Sequence, residues 1–272
     1  MRLFLDHKEA FEFAWTRYLL YSSSSMLSYY NVPADKINIC ADTLEDFHQE
    51  IAKWFSGLAK GDVCEVHCFE DGGEKVMLVS HGSYIRTVSY WDGNRIAFRS
   101  YRPASEDILV YSPQESLLKI RAGLEKDRDE YRSAFLARMA SDAAAADALA
   151  AQEIFTLTPL QEGKFDFTGD GKLIARIDLL HVRMKLFGVG SPMLEVKSHD
   201  LMWTFDKDLG DLSLDSGRLV FARFRFHLVP ERAKRPIKVD FKVEPPARTD
   251  LAQKLYADII EGYLMEQGVK LR

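Results

Sequence analysis

The sequence predicts an α+β protein of two lobes, each a mainly antiparallel sheet with covering helices. Three observations carry this. Apolar residues first recur at helical spacing, and the period then drops to 2 over short runs divided by Gly-containing turns. The succession strand, polar turn, strand, amphipathic helix returns after an Ala-rich break, which suggests an internal duplication. At 272 residues with 47% hydrophobic and 12% aromatic content, the chain is long enough to bury one large or two small cores.

Asp6, with Glu9 three residues on, opens a helix to about Tyr21 that is apolar nearly all round, so it is expected in a core or against a second copy of the chain. Glu12 and Arg17 interrupt it short of the ~20 residues a membrane span needs, and the early acids argue against a signal peptide. A second helix starts at Thr43 and sets Leu44, Phe47, Ile51, Trp54, Phe55 and Leu58 on one side before Gly61. Val63 to Phe69 and Lys75 to His81 flank "EDGGE", and Tyr84 to Tyr90 and Arg95 to Tyr101 flank "WDGN", which are hairpin signals. Ile108 to Tyr111 and Leu117 to Arg121 extend these to a meander of about six strands. A polar helix from about Leu124 to Met139 closes the lobe, with Tyr131, Phe135 and Met139 on one stripe.

The organisation expected is therefore a first lobe over residues 1–140, an Ala-rich helical spacer over 141–152, and a second lobe over 153–272. The second lobe offers strands at Ile154 to Leu160, Lys164 to Phe167, Lys172 to Leu186, Met193 to Ser198, Arg218 to Val229 and Pro236 to Glu244. Asp200 is placed to cap a short helix from Leu201 to Leu209, and Asp250 to Gln267 reads as the closing helix.

Three cysteines, Cys40, Cys64 and Cys68, are too few and odd in number for a secreted disulfide framework, which predicts a cytoplasmic protein. Cys64 and Cys68 are four apart on a predicted strand, ~13 Å distant and too far to share a zinc. The net charge of -5 argues against coating nucleic acid with the whole surface. Its distribution says more. From Arg218 to Arg248 nine Lys/Arg face three acids, a local balance of +6 that leaves -11 for the remainder.

Asp178 and the run Glu195-Val196-Lys197 resemble, in these letters alone, the metal-binding strand pair of PD-(D/E)xK nucleases. The resemblance implies Asp178 and Glu195 on a divalent cation and Lys197 near the attacking water. The glycines argue otherwise. A turn at Gly188 to Ser191 puts Glu195 opposite Arg183 or Met184 and leaves Asp178 five residues further on, ~17 Å away. Alternation then makes Glu195 and Arg183 a cross-strand ion pair, and the flip of apolar phase upstream predicts a bulge near Leu179. "DFTGDGK" places Asp166, Thr168, Asp170 and Gly171 as in a calcium loop, but Ile177 stands where that loop needs Glu. "SLLK" sits on a strand instead of a helix start, and "GVGSP" lacks the third glycine of a dinucleotide site. No metal or cofactor is expected.

In "RLVFARFRFHLV", Arg223, Arg225 and His227 share a face opposite Phe224 and Phe226, beside Lys238 and Lys242 of the next strand. The function expected is a non-catalytic binding protein that presents these five residues to a polyanion, such as nucleic acid or a phosphoryl ligand, or to an acidic protein partner. The alternatives are the metal-dependent nuclease through Asp178, Glu195 and Lys197, and a structural subunit whose basic region meets the acidic remainder of a neighbouring chain.

Overall fold

A computed structural model describes residues 26–32, 36–140, 153–230 and 235–271, with His7, Phe11, Ala14, Trp15 and Tyr18. The Ala-rich spacer and most of the first predicted helix lie outside the described residues. Of that helix, Phe11, Ala14, Trp15 and Tyr18 are helical and exposed. The α+β reading with antiparallel sheets holds. The chain divides into two units, Ser28–Ala150 and a second made of Met1–Leu27 with Ala151–Arg272. No helix among the described residues is long and apolar enough to cross a membrane.

In the Ser28–Ala150 unit, β1 (Leu27–Asn31) precedes helix α1 (Ala41–Gly57). The helix starts two residues before the predicted Thr43, because the Thr43 hydroxyl accepts from the Cys40 backbone N–H at 3.0 Å and so closes the first turn. Strands β2 (Cys64–Asp71), β3 (Glu74–Gly82), β6 (Ala104–Ser112) and β7 (Leu117–Arg121) follow, then helix α2 (Glu125–Met139). The strand order within the unit is β2-β3-β6-β7-β1, antiparallel at each of β2-β3, β3-β6, β6-β7 and β7-β1. Phe47, Ile51 and Phe55 of α1 pack with Tyr131, Phe135 and Met139 of α2 over Met77, Val79, Leu109 and Leu118 of the sheet. Each fully buried large side chain contributes about 1.5–3 kcal/mol.

Two strands expected in the meander leave it. Strands β4 (Arg86–Asp92) and β5 (Arg95–Tyr101) pair only with each other. They prolong the β3-β6 ladder as a separate two-stranded ribbon, joined to it by the Ser83 N–H to Pro103 carbonyl bond at 2.8 Å. The reason is chemical. Their outward and inward phases both carry polar, charged and aromatic residues, so neither face can lie on a core.

In the second unit, β8 (Ile174–Leu186) and β9 (Met193–Lys197) form the predicted hairpin with Arg183 opposite Glu195. Helix α4 (Leu201–Lys207) is capped by Asp200, whose Oδ1 accepts the Trp203 N–H at 3.0 Å. Strands β10 (Gly217–Leu228), β11 (Ile237–Glu244) and the short β12 (Arg248–Thr249) complete an order β12-β11-β10-β8-β9. The ladder between β10 and β8 skips Leu180, the bulge expected beside Leu179. Phe224, Phe226 and Phe241 build the core with Phe165 and with Tyr263 of helix α5 (Ala257–Glu266).

Three predicted elements are corrected. Ile154 to Leu160 is not a strand: Phe155 makes one isolated bridge to Lys270, and Thr158–Gln161 is a short helix, α3, with Pro159 in its first turn, where a missing N–H costs no helical bond. Lys164 to Phe167 is irregular, because the Lys164 and Phe165 N–H groups both donate to the Pro159 carbonyl. The closing helix is broken: Leu251–Gln253 forms a 3-10 turn, Lys254 is extended and Tyr256 is left-handed at φ 62° before α5 begins. After the β8-β9 hairpin the returning strand β10 joins the first strand, β8, whereas after the β2-β3 hairpin the returning strand β6 joins the second, β3. The two connectivities differ, so strand order lends no support to duplication.

Candidate functional site

The second unit gathers all five residues expected to meet a polyanion on one sheet face. Arg223, Arg225 and His227 of β10 stand opposite Lys242, Asp240 and Lys238 of β11, and opposite His181, Asp178 and Arg176 of β8. Every carboxylate here sits between two basic side chains. Asp240 receives Arg223 Nη2 and Arg225 Nε, both at 2.7 Å. Asp178 receives His227 Nε2 at 2.6 Å and Arg176 Nε at 2.8 Å. Glu195 lies 2.9 Å from Lys197 and 2.8 Å from His181, the latter out of line for a well-formed hydrogen bond. Glu244 lies 2.8 Å from Arg248 and 3.5 Å from Arg183.

Burial works against ionising Asp178 and Asp240, but the bonds from their basic neighbours outweigh it and hold both carboxyls below the usual range. The His181 imidazole is also held below its usual value, here by burial itself, against the pull of Glu195. The arginine forks at Asp240 and Asp178 are thus turned inward along the sheet, whereas Lys238 and Lys242 make no ion pair among the described residues.

Glu195 faces Arg183 across β8-β9 while Asp178 faces Arg225 across β8-β10. Five residues of strand, about 17 Å, separate the two positions. The carboxylates of Asp178 and Glu195 are therefore not brought to one ion, and no group of three metal-ligating side chains occurs among the described residues.

The β4-β5 ribbon handles charge differently. From Tyr84 to Arg102 every residue except Ala97 is exposed. The segment holds four arginines against one aspartate, +3 in a chain of -5, and five aromatic residues. Register assigns the faces. One carries Arg86 beside Tyr101, Val88 beside Arg99, Tyr90 beside Ala97, and Asp92 beside Arg95. The other carries Trp91 beside Ile96 and Phe98 beside Ser89, with Trp91 71% and Phe98 74% exposed. Arg95 pairs with Asp92 at 3.1 Å; Arg86 and Arg99 make no ion pair among the described residues. Exposed rings gathered in this way are a feature of surfaces that other molecules cover or stack on.

The ribbon is anchored at its root. Arg102 donates from Nη1 to the carbonyls of Ala59 at 2.8 Å and Ser83 at 2.7 Å. Gly82 crosses the loop after α1 so closely that a Cβ would stand 2.2 Å from the Lys60 carbonyl oxygen. Directly beneath lies a buried cluster of polar groups. Lys60 Nζ bonds Asp127 Oδ2 at 2.7 Å, with the two side chains 5% and 4% exposed. His81 Nε2 lies 2.9 Å from Asp107 Oδ2, which also accepts from the Tyr131 hydroxyl at 3.0 Å. His81 Nδ1 faces the Gly82 carbonyl at 2.8 Å, so both ring nitrogens meet acceptors, and Phe55 stacks on the ring at 3.8 Å. Burial, with Asp107 adding to it, pushes the Tyr131 phenol well above its ordinary value, which keeps it a donor. Burial likewise pushes the Cys64 thiol up to about 11, so it is no nucleophile at neutral pH.

The ribbon had a signal in the letters. "RTVSYWD" and "RIAFRSY" put aromatic or aliphatic residues in both strand phases along with arginine, which no strand with one buried face does. The Lys60, His81, Asp107 and Asp127 cluster had none, since its pairs join residues 67 and 26 apart in the chain. Comparison of the chain with protein-family models and with curated proteins gives no match.

Proposed function

We propose that the protein binds single-stranded nucleic acid, and that the β4-β5 ribbon is its principal grip. One observation carries this reading: a ribbon exposed on both faces that interleaves Arg86 and Arg99, neither of them in an ion pair among the described residues, with Tyr90, Tyr101, Trp91 and Phe98. Arginine meets phosphates by bidentate contacts, and exposed rings stack on unpaired bases at about 1–3 kcal/mol each. A duplex offers its phosphates but not its base faces, so the aromatic half of the ribbon favours a single strand. Lys238 and Lys242, with Arg223, Arg225 and His227 in their carboxylate bonds, add positive field on the second unit without its arginine forks being free.

The test is the affinity of a labelled single-stranded oligonucleotide, measured by anisotropy at several salt concentrations. Binding that weakens steeply with salt, and is lost in Arg86→Glu/Arg99→Glu, supports the reading. Wild-type protein that ignores the oligonucleotide at low salt but gains mass with concentration, and loses that gain in Trp91→Ser/Phe98→Ser, assigns the ribbon to self-association and rejects it.

A further inference from the structure

At the foot of the ribbon is a cavity of about 310 Å³ lined by Lys60, His81, Asp107 and Asp127, with Ser83 and Tyr84 on one side and Ser105, Gly123 and Leu124 on the other. This volume is at the small end of the roughly 300–1,000 Å³ of ligand pockets, enough for one ring system. We propose that the cavity receives a single unstacked base, one bearing an exocyclic amino group, from the strand held by the ribbon. The inference rests on the reading of the ribbon as a strand-binding arm and adds a base-reading site to it.

Charge balance decides the class of ligand. Lys60 is already paired with Asp127, and His81 faces Asp107. A phosphate entering here would have to displace a carboxylate from its cation, and an apolar side chain would cover four polar side chains and offer none of them a hydrogen bond. A neutral planar ring with donors and acceptors does neither. Its amino group donates to the carboxylates, while the thymine or uracil O4, an acceptor at the equivalent position, faces them unfavourably. The walls suit a ring as well. Tyr84 is 47% and Leu124 43% exposed at the mouth, and the Lys60 ammonium lies 5.8 Å from the Tyr84 ring centroid, between it and Phe55 at 4.8 Å.

Position links the cavity to the arm. Ser83 and Tyr84 are the residues from which the ribbon departs, and Ser105 is just beyond its return. Arg86, two residues past Tyr84, and Arg99, on the same ribbon face by register, are placed to hold phosphates of a strand that passes the mouth.

The experiment compares oligo(dC) and oligo(dT) of roughly twelve nucleotides, within the site sizes of about 4–16 seen for strand-binding folds. The whole chain is used, with Ser105→Phe to fill the cavity and Tyr84→Ala to remove a wall, each checked for an unchanged thermal midpoint. Expected is a preference of about tenfold for oligo(dC), which one well-made base contact supplies, collapsing to near parity in whichever variant keeps its fold. The salt slope stays that of wild type, because Arg86 and Arg99 are untouched. Equal affinity of wild type for both homopolymers, or a preference that survives filling and wall removal, overturns the cavity and leaves the arm standing. Binding of neither homopolymer overturns both.

Discussion

Two arginine-bearing strand pairs are built from nearly the same letters and put their charges to opposite uses. On β10 and β11, Arg223 and Arg225 converge on Asp240, and His227 closes on Asp178 with Arg176. On β4 and β5, Arg86 and Arg99 stand among exposed rings with no carboxylate partner among the described residues. Nine basic residues against three acids over Arg218 to Arg248 make the first region the more basic in sequence, yet its arginines are the less available. What presents a positive surface is the geometry of the nearest carboxylate, which a running charge count does not contain. A directly opposite strand position is only about 4.5–5.5 Å away, and Asp240 lies there for Arg225.

Charge pairing reaches its limit at Lys60 and Asp127, where both partners are buried, and the largest effect is expected there. Lys60→Met strands an uncompensated carboxylate and should cost about 3–5 kcal/mol in urea unfolding. Lys60→Met/Asp127→Leu should recover most of it; a double variant as unstable as the single would show that the pair is not the source. Next, Arg86→Glu/Arg99→Glu should weaken oligonucleotide binding about 100-fold, or about 2.7 kcal/mol. It should also shallow the salt slope by about 1.4, at about 0.7 for each single-strand phosphate that the arm no longer neutralises. The contrast is sharpened by Asp240→Asn, which releases Arg223 and Arg225. Retention on a heparin column should rise, with affinity up by at most about fivefold, the worth of a pair of about 1 kcal/mol. Unchanged retention would mean that the arginines were never masked.

The smallest effects are in pH. Because burial depresses the folded-state value of His181, the unfolded chain takes up a proton first as pH falls through the ordinary imidazole value of about 6.5, and stability should decline there. His181→Gln should flatten the decline in thermal midpoint between about pH 7.5 and pH 5.5. Asp178 and Asp240 act lower. Their folded values lie below the ordinary carboxyl value of about 3.9, so their contribution is full above it and is lost as pH falls through the depressed values. Asp178→Asn should make unfolding less steep in acid.

Much of the fold was legible. The paired glycines after Phe187 set the β8-β9 register, Asp200 announced a helix that it does cap, and the 3.6 spacing from Leu44 to Leu58 gave the buried side of α1. What escaped was decided by distant partners. β1 lies in "MLSYYN", too short to announce itself beside a serine run, and is a strand because β7 pairs with it. The break before α5 follows from Asp250, buried and accepting the Lys242 N–H at 2.7 Å, which ties the start of the predicted helix to β11. At the candidate sites, the five basic residues share a face as expected, but their carboxylate partners on β8 and β11 and the departure of β4-β5 from the sheet are matters of tertiary neighbours.

The root of the ribbon and its tip answer to different constraints. Arg102 and Gly82 fasten one end, where an added methyl group meets backbone, while a Cβ on Gly93 at the other end meets nothing within 4 Å. Span and attachment are thus independently adjustable: matched insertions on both sides of the Gly93-Asn94 turn lengthen the arm without touching the clasp. The same spot accepts a fluorescent label whose signal reports what the arm touches while the body of the protein stays as it was.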